Sequence, residues 1–290
     1  MAQIDLTLQE VRKMQLKGLD MAKFFDKFCR ENNLTYFLCG GCCIGAVRNK
    51  GFIPWDDDVD VHMPREDYEK LKKLWKNTEE YSIQYTTKDY LTQNAFLTIC
   101  ANNTTFIKTY QKDLDINHGL VLDVIPLDGC PQGMARKMQK FWGLLYLLFI
   151  VGKAPENNGK LAYMVGKVAL GIIRSKNLRY KLWSFCEKRM SHYPFSQCKY
   201  VTEICAGPYY MKKEYPVEAF SAQKYVPFED TLLPIPVGYD TYLSMAFGNY
   251  MELPPVEKRV CHHEFEVMDM EHSYRIYRGT RYFVNQGDNK

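Results

Sequence analysis

The sequence predicts a mixed α/β domain elaborated by a largely helical stretch, and three observations lead there. Apolar residues recur at helical spacing over residues 7–30, through Leu8, Val11, Leu19, Ala22, Phe25 and Cys29. Two short runs, residues 58–61 and 120–125, alternate as half-buried strands do. Between them and the last third lie two long apolar segments with basic flanks. Hydrophobic residues make up 46% of the 290, enough for a substantial core, so disorder is not expected beyond the ends. With 38 basic and 34 acidic residues the formal net charge is +4. That mild excess does not call for nucleic acid and is compatible with an anionic substrate or membrane surface.

The first helix, residues 7–30, is closed by Asn32 and Asn33. A short apolar strand over 34–38 follows and stops at the pair Gly40–Gly41, which reads as a turn. The stretch from Phe37 to Pro64, FLCGGCCIGAVRNKGFIPWDDDVDVHMP, organises the chain. In a strand, residues two apart share a face, so Asp58 and Asp60 point one way while Val59 and Val61 enter the core. Two adjacent carboxylates repel and resist losing water, and a divalent cation is the usual remedy. Backbone N–H groups of a Gly-rich turn can hold phosphate oxygens, so a metal and a phosphate in one cleft are expected. Trp55 is expected to lock the turn before Asp56 and Asp57 rather than to touch substrate. Cys39 and Cys42 form a C-x-x-C, but no Trp-Cys redox context surrounds them. Cys261, His262 and His263 lack a second ligand pair at zinc-finger spacing.

Pro64 closes the second strand, and residues 65–76 read as a helix with Tyr68, Leu71, Leu74 and Trp75 inward. Weaker strand signals follow at 81–86, 95–100 and 105–110. Residues 119–128, GLVLDVIPLD, form another strand, with Pro126 expected to end it. A lone Asp123 in so apolar a strand is costly unless it binds something, and a third metal carboxylate is the functional reading. Residues 141–152 are twelve nearly apolar positions, well short of the ~20 that cross a bilayer. With residues 161–173 they predict either a buried helical hairpin, joined by the polar linker 155–160, or helices lying on an anionic membrane surface. A further helix is expected at 178–190 and a strand at 200–205, followed by an aromatic-rich and Pro-rich region. Its rings suit core packing equally well as a quaternary-ammonium box. Residues after Asp269 read as a polar tail, with Tyr274, Ile276, Tyr277 and Tyr282 leaving a terminal strand or helix open.

GGCCIGAVRNKGFIPWDDDVDVHMPREDYEKL resembles the signature of the LicD family, phosphocholine and related phospho-alcohol transferases that also resemble fukutin-related protein. The resemblance implies a nucleotidyltransferase-like mixed sheet. The family's Gly-x-x-Arg-x-x-Gly-Phe-Ile-Pro-Trp stretch is matched by Gly45, Arg48, Gly51, Phe52, Ile53, Pro54 and Trp55, and Asp123 falls where the family supplies its third carboxylate. A second motif is similar near the C-terminal end: Leu253-Pro254-Pro255, then Lys258, Arg259 and His262. There, Phe247-Gly248-Asn249-Tyr250 stands where the family has Tyr-Gly-Asp-Tyr, removing one carboxylate.

The resemblance implies transfer of a phospho-alcohol group, foremost phosphocholine from CDP-choline, to a hydroxyl of a surface glycan precursor such as teichoic acid or lipopolysaccharide, with CMP leaving. Asp58, Asp60 and Asp123 are the expected catalytic and metal residues for Mg²⁺ or Mn²⁺; Gly40, Gly41, Arg48, Lys258, Arg259 and His262 are the expected phosphate and substrate contacts. The expected division is a catalytic core over 1–132, a helical, acceptor- or membrane-facing insertion over 133–198, and a C-terminal part over 199–290 that completes the site. Ten cysteines and a polar first ten residues predict a cytoplasmic protein, which the resemblance places at the inner face of the membrane beside a lipid-linked acceptor. Two rival readings stand beside this one: nucleotidyl transfer to a small alcohol or antibiotic, and a non-catalytic nucleotide-binding partner of a glycan assembly complex.

Overall fold

The computed structural model describes residues 6–151, 160–173, 175–261 and 264–284. The chain begins with α1 (Leu8–Glu31), whose start is set by a capping box: Glu10 N–H donates to the Thr7 hydroxyl and Thr7 N–H to the Glu10 carboxylate. Asn32 caps its end, and Asn33 turns the chain out in the left-handed region at φ 52°. The short strand β1 (Phe37–Leu38) leads into α2 (Gly40–Arg48), then β2 (Val59–Pro64), α3 (Arg65–Leu74), β3 (Tyr81–Gln84), β4 (Leu97–Ala101), β5 (Thr105–Lys108) and β6 (Val121–Cys130). Three helices follow: α4 (Gly133–Val151), α5 (Lys160–Ile172) and α6 (Lys176–Met190). The last part holds β7 (Tyr200–Thr202), β8 (Tyr215–Pro216), the hairpin β9 (Gln223–Phe228) and β10 (Thr231–Pro236), α7 (Tyr239–Phe247) and β11 (Phe265–Asp269).

The main sheet runs β1-β2-β6-β4-β3, with β7 on the far half of β6 and β8 beside it. It is mixed: β2 and β6 are parallel, while β1–β2, β4–β6 and β3–β4 are antiparallel. Helix α1 crosses the face bearing Val59, so closely that a Cβ on Gly18 would stand 2.8 Å from Val59 Cγ2. Val59, Val61, Leu122 and Val124 are buried on that face. The β2–α3 junction is tied to β6 inside the protein. Arg65 Nε and Nη2 donate to the two Asp128 oxygens at 2.7 and 2.8 Å, and both side chains are buried. Among the described residues no helix is long and apolar enough to cross a membrane.

Several expectations are corrected. The Gly40–Gly41 pair opens a helix rather than a free turn, and the strand before it shrinks to two residues, Phe37 and Leu38, the stretch that β2 pairs. Pro126 does not end its strand. It lies between the residues of β6 that β4 pairs (121–124) and those that β7 pairs (128–130), so its missing N–H removes no bond from either ladder. β11 pairs with β5, and beyond Asp269 residues 270–284 are no loose tail: Tyr274–Tyr277 form a short helical turn, and Tyr282 is buried against His118. Position 152 and residues 155–159 of the expected hairpin lie outside the described residues.

Candidate active site

The alternation of β2 sends Val59 and Val61 into the core and leaves Asp60 on the opposite face, with Asp58 just ahead of the strand. Because β6 lies parallel beside β2 with Asp60 opposite Asp123, the two carboxylates share that face. Thr98 of β4 stands opposite Asp123 on the other side. The loop before β2 adds more acid. Ligand oxygens of Asp56, Asp57 and Asp58 lie within 4.8 Å of one another. Gln15 of α1 fixes this loop, its amide donating to the Ile53 and Asp56 carbonyls at 3.0 and 2.9 Å.

Helix α2 aims its N-terminus at these carboxylates. Cys39 N–H donates to the Asp60 carbonyl at 3.1 Å, and Gly40 then turns at φ +52°, a conformation L side chains rarely adopt. A Cβ on Gly41 would fall 2.3 Å from Asp56 Oδ2, closer than any real contact. The bare Gly41 is what lets the Asp56 carboxylate rest on the helix end, where the macrodipole favours negative charge. The Gly40 N–H is already engaged, donating to the Tyr242 hydroxyl at 3.0 Å.

The packed charge shows in the acids themselves. Burial, then Asp58 and Asp57, push Asp56 up to about 8. Burial, then Asp58, Asp123 and Asp56, drive Asp60 well above the carboxylate range, with Lys108 pulling the other way. Lys108 comes from β5 and is buried with its Nζ 3.9 Å from Asp123 Oδ2. Burial disfavours its charge, but Asp123, Tyr110, Asp58 and Asp60 outweigh burial and hold the ammonium protonated. Among the described residues Lys108 alone does not balance so many acids. Asp56 Oδ2 and Asp123 Oδ1 are buried and find no hydrogen-bond partner among the described residues. Such an all-oxygen anionic set fits a hard divalent cation.

The other expected contacts lie at different distances from this centre. Arg48 ends the nine-residue α2, about 12 Å along the helix from Gly40, and donates to the Tyr250 carbonyl at 3.1 Å. Arg259 is beside it, close enough to depress it electrostatically after burial, and its guanidinium stands 5.6 Å from the centre of the Trp55 ring. Trp55 directly precedes Asp56, so the two arginines border the acidic loop rather than its centre. Lys258 is exposed, and His262 lies outside the described residues. Cys39 and Cys42 are unbridged, and burial followed by neighbouring aspartates raises both thiols, opposite to what a reactive thiolate needs.

Sequence reasoning missed Asp56, Lys108 and Gln15. Lys108 carried a readable signal, a single basic residue closing the apolar run Phe106-Ile107, the same kind of anomaly that marked Asp123. Asp56 lies two residues before Asp58, the spacing that singled out Asp60.

Residues 33–130, which contain all of these carboxylates, match the family described as LicD/FKTN/FKRP, nucleotidyltransferase domain. The lipopolysaccharide cholinephosphotransferase LicD of Haemophilus influenzae is 30% identical over 270 residues, covering 87% of this chain and 96% of that protein. The chain belongs to the LicD family of phosphotransferases. Two further proteins are similar to parts of it. An uncharacterized protein of Rickettsia prowazekii is 29% identical over 90 residues, 28% of this chain and 34% of its own. Mannosyltransferase regulator 4 of Saccharomyces cerevisiae is 22% identical over 179 residues, 60% of this chain and 15% of its own.

Proposed function

We propose that the protein transfers phosphocholine from CDP-choline to a hydroxyl of a lipopolysaccharide-type glycan, releasing CMP. The observation that carries this reading is the meeting of Asp58, Asp60 and Asp123 at the N-terminus of α2, in a chain that aligns with nearly all of a cholinephosphotransferase. Mg²⁺ or Mn²⁺ held by Asp58, Asp60 and Asp123, with Asp56 beside them, would neutralise the donor pyrophosphate and draw electron density from the attacked phosphorus. The Gly41 and Cys42 amides at the start of α2 would receive phosphate oxygens, since the Gly40 N–H is taken by Tyr242 and the Cys43 N–H by the Cys39 carbonyl. Arg48 and Arg259, at the Trp55 rim, would oppose the phosphates from outside the acidic centre. The acceptor oxygen forms a bond to the choline-bearing phosphorus as its proton passes to a water beside the Asp123 oxygen that would hold the cation. The bond from that phosphorus to the CMP oxygen breaks, and CMP leaves with the electron pair. Lys108 keeps the second Asp123 oxygen paired throughout.

Place follows from surface chemistry. Helix α5 exposes Met164, Val168 and Ile172 at successive turns, next to Lys160 and Lys167. This supports peripheral docking on an anionic leaflet, at the cytoplasmic face where a lipid-linked acceptor would be presented.

The test is turnover of CDP-choline with Mg²⁺ and deacylated lipopolysaccharide, reading CMP release and choline incorporation. Asp58→Asn is expected to lower turnover at least about a hundredfold and leave the circular dichroism spectrum unchanged. Undiminished turnover in that variant would sink the carboxylate assignment, and pyrophosphate release from ATP in place of CMP release would favour nucleotidyl transfer.

A further inference from the structure

Away from the acidic centre, the ends of α4 and α6 and the loops over residues 86–93 and 113–116 enclose a cavity of about 680 Å³. That is within the range of small-ligand sites. Its wall includes the rings of Tyr90, Tyr180 and Trp183, and between them stand the short polar side chains of Asp89, Asp113 and Asn177. Among the described lining residues Lys88, Lys176 and Arg179 are matched in number by Asp89, Asp113 and Asp115, with no surplus of positive charge that would single out a nucleotide or phosphate. Trp183 is buried, and its Nε1–H finds no acceptor among the described residues. Flat rings that accept the C–H face of a sugar, with carboxylates and amides that bond its hydroxyls, are the chemistry of a neutral saccharide site.

The cavity is also joined to the reaction centre. Asp60, Asp123, Thr98 and Gln84 are successive partners across four neighbouring strands and share one face of the sheet. From Asp123 to Gln84 is two strand spacings, about 10 Å. The Tyr90 hydroxyl donates to the Gln84 side chain, so a cavity wall begins where that row ends. The segment that carries Lys108 into the centre continues to Gln111, whose amide holds the Thr92 carbonyl and the Asn94 side chain of the cavity loop at 2.9 and 2.7 Å. The cavity therefore lies toward the same side of the sheet as Asp123, two strands and one tyrosine side chain away, a span for a glycan of several sugar units.

We propose that this cavity is the acceptor subsite, binding neutral sugar units of the glycan beyond the one that is modified; the proposal rests on the phosphocholine-transfer reading above. Asp113 and Asn177 are exposed on the cavity rim, so their removal leaves the core intact. The experiment uses the full chain and deacylated lipopolysaccharide as the probe. Saturation-transfer NMR reads binding without donor, and steady-state kinetics read KM for each substrate. Asp113→Ala and Asn177→Ala are each expected to raise the acceptor KM about tenfold and to weaken the sugar signals, with the CDP-choline KM unchanged. Sugar signals and acceptor KM as strong in both variants as in the unaltered protein would overturn the assignment. Binding that both variants lose, in a protein that transfers nothing, would uphold the saccharide site and overturn the proposed reaction instead.

Discussion

Gly41→Ala separates the requirements of the fold from those of the site. The added Cβ would lie 2.3 Å from Asp56 Oδ2 and 3.0 Å from its Cγ, while ordinary contact begins near 3.4 Å, so the carboxylate has to retreat by about 1 Å. The three nearest atoms all belong to Asp56, and Gly41 is outside the left-handed region that makes Gly40 irreplaceable. Alanine inside a helix is favoured over glycine by about 0.5–1 kcal/mol, so the melting temperature should hold or rise by about 2 °C. A shift of about 1 Å in a group that positions a cation or phosphate costs on the order of a hundredfold in rate. The expected result is therefore a protein at least as stable as the original, with Mg²⁺ affinity by calorimetry and turnover of CDP-choline both sharply reduced. Wild-type affinity and turnover would remove Asp56 from the site, and an unfolded variant would show that Gly41 serves the fold.

Two further outcomes are expected. Asp56 and Asp60 hold their protons more tightly in the folded state than an unfolded carboxylate does near 4, because burial and then their acidic neighbours disfavour the charge. For Asp56 that stabilising contribution is full below pH 4 and is lost as the pH rises toward about 8, and Asp60 acts in the same direction, so the melting temperature of EDTA-treated protein should fall across that interval. Saturating Mg²⁺ should flatten the decline and Asp56→Asn should reduce it; a decline indifferent to both would place its origin elsewhere. On the membrane question, the protein should cosediment with anionic but not neutral liposomes, and Val168→Asp with Ile172→Asp should release it. Absence of cosedimentation would return α5 to a soluble role.

Much of the site was legible because its signals are local. A strand reports its own two faces, so the alternation of Asp58, Val59, Asp60 and Val61 told which side chains enter the core, and the isolated Asp123 announced a polar task within an apolar strand. Helix α1 was equally readable, from apolar spacing and the asparagines at its end. Periodicity is silent, however, about which strand lies beside which. Asp60 and Asp123 meet because β6 comes between β2 and β4, and Pro126 continues the strand because that neighbour changes from β4 to β7. Lys108 reaches Asp123, Asp56 reaches Gly41, and Arg48 is carried to the far end of α2 by the same packing. Local residue spacing determined which groups had to leave water or find a partner; the strand order and the close approach of helix to loop, set by burial of apolar faces far apart in the chain, decided which partners they found.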